Sequence, residues 1–229
     1  MLYIIVVLGI FLFALLLWAY WRYVYFFRDP ERVTPPGKNI ISPADGSVLY
    51  VNITDNQTVP IALKKNRNIQ LNEIVKTDIP NQKWCHIGIF MTLFSVHVNR
   101  APICGVARMI KHFYHPGIPN LSMNRMGLRY YLKRKPVYKE ALHIIENERN
   151  TICIEGDFKV YVVQIADAYV NKIFCTLSEG DIIEKGSRYG RIAMGSQVDI
   201  IFPYNDSMSI TVKEGDAVRA GESILAEYK

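Results

Sequence analysis

Charge of either sign is missing from one whole stretch of this chain. Between Leu2 and Trp21 there is no Asp, Glu, Lys or Arg, and nearly every residue is Leu, Ile, Val, Phe, Ala, Trp or Tyr. As a helix rising 1.5 Å per residue, such a run reaches roughly 30 Å, the hydrocarbon thickness of a bilayer. Also missing are a basic region before the run and a small-residue cleavage site after it, which excludes a secretory signal peptide. A buried core helix rarely needs so long an uncharged run. Residues 1–25 are therefore expected to form a membrane anchor, and residues 26–229 a separate body.

Cysteine is scarce, and its placement excludes two further classes. Cys85, Cys104, Cys153 and Cys175 form no C-x-x-C pair and have no histidine at ligand spacing, so neither a zinc site nor a disulfide framework is expected, and no metal. A reduced compartment fits. Acidic residues are absent from Leu121 to Lys139, where Arg125, Arg129, Lys133, Arg134, Lys135 and Lys139 alternate with Met126, Leu128, Tyr130, Tyr131 and Leu132. Beside an anchored chain, a basic and partly apolar segment suits anionic lipid, and the net charge of +6 is read as directed to a membrane surface rather than to nucleic acid. Arg22, Arg28, Arg32 and Lys38 follow the apolar run, opposed by Asp29 and Glu31 alone, so the positive-inside tendency places the body in the cytoplasm. Trp18, Tyr20, Trp21, Tyr23 and Tyr25 gather at the same end, where amphipathic rings settle at the headgroup level.

Long helical periodicity is weak beyond the anchor. Asn120 to Lys133 is the best candidate for a partly helical insertion over a site. Short runs rich in Val, Ile, Tyr and Phe and bounded by turn residues predict strands at 47–53, 86–91, 151–154, 158–165 and 198–202. Glu179-Gly180-Asp181 with Gly186 recurs as Glu214-Gly215-Asp216 with Gly221, an internal repeat of turns flanked by strand-like residues. This E-G-D-x-x-x-x-G pattern resembles the hairpins of biotinyl and lipoyl domains, and 43–48 resembles another turn of that architecture. The modified lysine of such carriers is absent, so a swinging arm is not expected. The fold class is thus mainly β, a barrel-sandwich body with biotinyl/lipoyl-like hairpins and an N-terminal transmembrane helix.

The chemistry concentrates near the C-terminus. Gly195-Ser196 lies after Gly190 and before the apolar Val198 to Pro203. Upstream stand Phe26-Phe27-Arg28-Asp29-Pro30, Pro43-Ala44-Asp45-Gly46, His97-Val98-Asn99-Arg100-Ala101-Pro102, Tyr114-His115-Pro116-Gly117, Glu146-Asn147-Glu148-Arg149-Asn150 and Glu179-Gly180-Asp181. In this order, these motifs resemble the phosphatidylserine decarboxylase family in its short form. The resemblance implies a proenzyme that cleaves itself between Gly195 and Ser196 into residues 1–195 and 196–229, which stay together as a pair of chains, with a dimer of such pairs also considered. It further implies a pyruvoyl group made from Ser196, a phospholipid substrate with a serine head, and no external cofactor.

A serine hydroxyl is a weak nucleophile and needs a base within hydrogen-bond reach, itself oriented by a third group. Glycine before the serine suits attack, since without a Cβ it permits a strained backbone and leaves its carbonyl open. On the resemblance, His97 is expected to be the base and Asp45 its orienting group, while His115 and Arg100 are expected to face the substrate. His86, His112 and His143 have no such support and are read as structural. The chain departs from the family pattern in three places: His97-Val98-Asn99-Arg100 replaces the His-x-x-His of some relatives, Asn171 replaces an arginine, and Thr92-Leu93 replaces Ser-Pro. Two other readings are kept: decarboxylation of a different serine lipid, such as an ether-linked archaetidylserine, and a non-enzymatic membrane-tethered adaptor, which predicts no cleavage.

Overall fold

A computed structural model describes residues 2–55, 58–62, 68–114, 116–135, 142–168, 173–193 and 196–229, with backbone alone at 58–62 and 68. His115, Lys139, Asn171 and Gly195 lie outside the described residues. Helix α1 (Leu2–Tyr20) runs into a π-helical turn, Trp21–Tyr25. Together they span 24 residues, with an 18-residue stretch of mean hydropathy 2.8 and nothing buried, long and apolar enough to cross a membrane. The burial begins at Phe26, whose N–H donates to the Trp21 carbonyl (2.9 Å) and whose ring is only 1% exposed.

The body is built on one antiparallel eight-stranded sheet. Its order is β11 (Ile182–Ile183), β7 (Gly105–Phe113), β8 (Arg149–Glu155), β9 (Lys159–Ala166), β13 (Ser196–Pro203), β5 (Trp84–Met91), β2 (Gly46–Thr54) and β15 (Ala217–Val218). Two three-stranded sheets lie beside it: β1 (Asn39–Ile41), β16 (Ile224–Glu227) and β14 (Ser209–Ile210), and β10 (Ile173–Cys175), β12 (Arg188–Ile192) and β6 (Val98–Arg100). A β3 (Thr58–Ala62) and β4 (Asn68–Gln70) hairpin completes the strands described.

The central strands are apolar on both faces because both faces are covered. Successive side chains alternate between two cores. Val198, Ile200 and Phe202 of β13 join Ile87, Ile89 and Met91 of β5 and Val160, Val162 and Ala166 of β9 in one cluster. Ile201, Tyr161, Val163, Ile165, Trp84 and Phe90 point into the other, with Met123, Met126 and Ile144 from α3 (Asn124–Tyr131), α4 (His143–Glu146) and the chain before α3, and with Leu71 and Ile74 of α2 (Leu71–Val75). The strands expected at 47–53, 86–91, 151–154, 158–165 and 198–202 fall within or largely within β2, β5, β8, β9 and β13. The helical insertion expected between Asn120 and Lys133 is α3.

The sequence repeat is a structural one. Asp181 Oδ2 accepts from the Ser178 N–H (2.8 Å) and Asp216 Oδ2 from the Lys213 N–H (2.9 Å), while Gly180 and Gly215 take φ of 98° and 93°, a left-handed conformation that costs glycine little. Each turn then adds a two-residue strand, one at each edge of the large sheet, so the repeat closes both flanks of the core.

Candidate active site

Ser196 opens β13, with Met91 of β5 on one side and Ala166 of β9 on the other. It is fully buried, and its hydroxyl donates to the Met91 thioether, Oγ to Sδ 3.2 Å. Thioether sulfur is a weak acceptor, so the proton is not held by a competing strong partner. From Met91 the chain makes a tight turn, with the Ser95 N–H bonded to the Thr92 carbonyl (3.0 Å) and the Thr92 N–H to Ser95 Oγ (3.0 Å), and arrives at His97. Beyond His97, β6 pairs with β12, Val98 opposite Arg191, and the Ile192 N–H donates to the His97 carbonyl (3.3 Å). The two ends of the 92–97 turn are therefore tied to Ser196, through Met91, and to Ile192, through the His97 carbonyl. His97 shares a small crevice with Phe26, Phe27, Arg28 and Arg191–Ala193.

The state of His97 follows from its contacts. Nδ1 lies 2.9 Å from the Ser95 carbonyl, which can only accept, so Nδ1 carries the proton and Nε2 the lone pair. Nε2 is buried and has no hydrogen-bond partner among the described residues. The imidazole is pushed down to about 4, chiefly by burial, against the Ser95 carbonyl, which favours the charged form, and with the charge of Arg28. It is thus neutral at physiological pH, with a free basic nitrogen in a dry crevice.

Asp45 is elsewhere engaged. Its carboxylate accepts from Arg32 Nη2 (2.9 Å) and from the Ala220 N–H (2.7 Å), and His97 is not among its described partners. The direct Asp45–His97 bond expected for an orienting carboxylate is replaced by the Ser95 carbonyl, which reaches Nδ1 from two residues away. Gly46 explains where Asp45 sits: a Cβ there would fall 2.2 Å from the Phe90 carbonyl, so glycine alone lets this turn press on the end of β5. Arg100, expected at the substrate, is 5% exposed and donates to the Gly186 carbonyl (3.1 Å), Asp29 (3.0 Å) and the Pro30 carbonyl (3.1 Å). Its guanidinium ties the segment after the apolar N-terminal helix to the body.

Several groups around the serine carry no sequence signal. Gln197 and Asp199, on the face of β13 opposite Val198, belong to a fully buried network: Asp199 accepts from Tyr50 (2.9 Å) and meets His86 Nε2 (2.8 Å), and Gln197 joins Tyr50 (2.8 Å) and His143 (3.0 Å). Gly88 makes this possible, since the Tyr50 ring lies where its Cβ would be. His86 and His143 are thus structural groups in the network, and the more exposed His112 pairs with Glu148 (2.8 Å). Beside the serine, Gln164 bridges Asn150 (2.9 Å) and Asn99 (2.8 Å). On the other side of Met91 opens a largely apolar cavity of about 420 Å³ between Phe90–Leu93 and α3, with Met123, Gly127, Leu128 and Tyr131 as its far wall. No cluster of metal-ligating side chains occurs among the described residues.

Fold and site define a mainly β protein with an apolar N-terminal helix, a buried serine at the head of β13 and, on the far side of Met91, a largely apolar cavity. The family model described as phosphatidylserine decarboxylase matches residues 20–226. The chain is 40% identical over 206 residues to a Methanocaldococcus jannaschii proenzyme named for archaetidylserine decarboxylation, covering 89% of this chain and 88% of that one. It is 35% identical to the phosphatidylserine decarboxylase proenzymes of Ruegeria pomeroyi, over 94% of this chain and 81% of the relative, and of Geotalea uraniireducens, over 88% and 77%. The chain belongs to the phosphatidylserine decarboxylase family.

Proposed function

We propose that this chain is a proenzyme that cleaves itself between Gly195 and Ser196 and then decarboxylates a serine-headed phospholipid at a membrane surface. Membership of the family and the relatives' names support the reaction class. The observations that support the site are a buried Ser196, whose hydroxyl among the described residues is bonded to a thioether, and a neutral His97, whose Nε2 has no hydrogen-bond partner among them.

In the cleavage step, Ser196 Oγ attacks the Gly195 carbonyl carbon while its proton passes to His97 Nε2. The protonated His97 returns that proton to the Ser196 nitrogen as the C–N bond breaks, so that Gly195 becomes esterified to Ser196 Oγ and residue 196 carries a free amine. Loss of the Ser196 Cα proton expels the Gly195 carboxylate, and water then replaces the nitrogen of residue 196, releasing ammonia and leaving a pyruvoyl group at the head of β13. That group supplies a ketone for the substrate's amine and an electron sink for the bond to its carboxylate. The buried position of Ser196, with Met91 on one side and Ala166 on the other, supports it. In this reading His97 returns a proton to the substrate carbon, and the size and polarity of the cavity beside Met91 support its taking part of a lipid.

Phosphatidylserine is the simplest substrate, and archaetidylserine is kept beside it because the relative named for it is 40% identical. The repeated turns at both sheet edges support a barrel-sandwich description of the body. The basic residues after α1 support a cytoplasmic body. Mass spectrometry of the denatured protein tests the proposal: two chains, the smaller blocked by pyruvoyl, are expected, and an intact mass in active material overturns it.

A further inference from the structure

The Phe-Phe-Arg-Asp-Pro run joins the membrane helix to the body, and nothing in the proposed chemistry uses it. The structure places it on the catalytic side. Phe26 lies flat on the His97 imidazole, with ring centroids 4.2 Å apart and planes at 29°. Phe27 underlies the Arg191 guanidinium at 5.6 Å, on the strand that leads to Ser196. Arg28 donates to the Phe94 carbonyl (2.5 Å), within the turn between Met91 and His97. Asp29 pairs with Arg100 (3.0 Å) and Arg188 (2.5 Å), and Arg32 with Asp45 (2.9 Å).

A half-exposed ion pair such as Arg188–Asp29 contributes little to stability, so this pair is better read as fixing the course of the segment. The aromatic contact has a direct chemical effect. A ring stacked on one face of an imidazole excludes water from that face and restricts rotation about the bond that would otherwise let Nε2 swing away.

We propose that the juxtamembrane segment from Phe26 to Arg32 is a positioning strap for the active site, with Phe26 fixing and drying the His97 imidazole. The inference rests on the reading of His97 as the base. It makes the membrane helix part of the catalytic apparatus, because Phe26 is hydrogen-bonded directly to the last turn of that helix. The charged groups facing His97 in the crevice are Arg28 and Arg191, and the charge of Arg28 opposes its protonation. Removing the ring therefore leaves hydration as the change that acts on the imidazole.

The test uses the full-length chain made cell-free into nanodiscs and moved to buffers from pH 5 to 8, with cleavage followed by mass. Phe26→Ala is expected to let the imidazole return toward its ordinary 6.5, so that cleavage is about fourfold slower at pH 6 than at pH 8, whereas the parent's rate is flat over that range. Phe26→Leu, which keeps apolar bulk without a flat ring, should fall between them. The His97 resonance in histidine-labelled Ser196→Ala protein, assigned with His97→Gln, should titrate more than one pH unit higher when Phe26→Ala is added. A folded Phe26→Ala or Phe26→Leu protein with the parent's pH profile and the parent's His97 titration overturns the strap. If His97→Gln itself cleaves at the parent's rate, the base assignment fails instead, and the two failures are told apart by the titration, which does not depend on cleavage.

Discussion

Ser196 and Met91 face each other across β13 and β5, hydroxyl to thioether at 3.2 Å. The contact holds the oxygen without taking its proton, since sulfur accepts weakly. Replacing Met91 by Leu should preserve most of the packing, costing under about 1.5 kcal/mol as a volume-conserving exchange, and should leave cleavage complete. Ser196→Ala should remain one chain and be inactive. Denaturing mass spectrometry of both variants decides this: a Met91→Leu protein that folds but stays intact would make the sulfur part of the chemistry.

His97 and His143 should make the protein acid-sensitive before its carboxylates do. Burial lowers both imidazoles, His97 to about 4 and His143 against the opposing effects of Gln197, Asp199 and Asp167. An unfolded chain takes up these protons near 6.5, whereas the folded one refuses them. The stability they contribute is therefore full above pH 6.5 and is lost as pH falls from there toward 4, by roughly 3 kcal/mol for His97 alone. Urea midpoints of the Ser196→Ala protein in micelles should drop between pH 7 and pH 5, and the drop should shrink in His97→Gln. An unchanged slope in that variant would mean that the ring is hydrated in solution.

The Asp199–His86 pair, wholly buried and with Asp199 three residues beyond the serine, should matter to folding more than to chemistry. Asp199 is bonded by Tyr50, His86 and Gln197 at once, so Asp199→Ala takes a partner from three buried groups, while Tyr50 and Gln197 keep their bond to each other. Breaking a buried pair costs about 3–5 kcal/mol, a large part of what holds a domain together. Low yield and a depressed thermal midpoint are expected, with whatever folds still cleaving. A well-folded Asp199→Ala protein that does not cleave would move Asp199 into the reaction itself.

What could be read from residues alone was whatever is written in local periodicity or in a fixed turn. The strands, the membrane run and the doubled E-G-D turns were legible because alternation, hydropathy and left-handed glycine leave marks within a few positions. Partners chosen across the fold leave none. Asp45 looks like an orienting carboxylate in sequence, yet Arg32 takes it, and nothing in either residue type announces that choice. Met91 reads as one more apolar strand residue until β13 is laid beside it. The same holds for Phe26, whose aromatic neighbours all suggested a headgroup belt, while its own ring turns inward onto His97.

The membrane helix should be dispensable for the fold of the body and necessary for its location. α1 buries no residue against the rest of the chain, so deleting residues 1–25 removes none of the core and keeps Phe26. Residual attachment should then come from exposed cations and apolar groups on and after α3, among them Arg125, Lys133, Arg134 and Lys135 with Leu128, Tyr131 and Leu132; Lys139 lies outside the described residues. Each basic group near an anionic surface contributes about 1 kcal/mol, screened over about 10 Å at 0.1 M salt. Lys135 also reaches Glu214 at 3.4 Å, which weakens its share. The truncated protein should co-sediment with vesicles containing acidic lipid at low salt and be released as salt is raised, with neutral vesicles retaining little. Binding indifferent to both lipid charge and ionic strength would reduce the basic segment to a solvated face and leave α1 as the attachment the protein depends on.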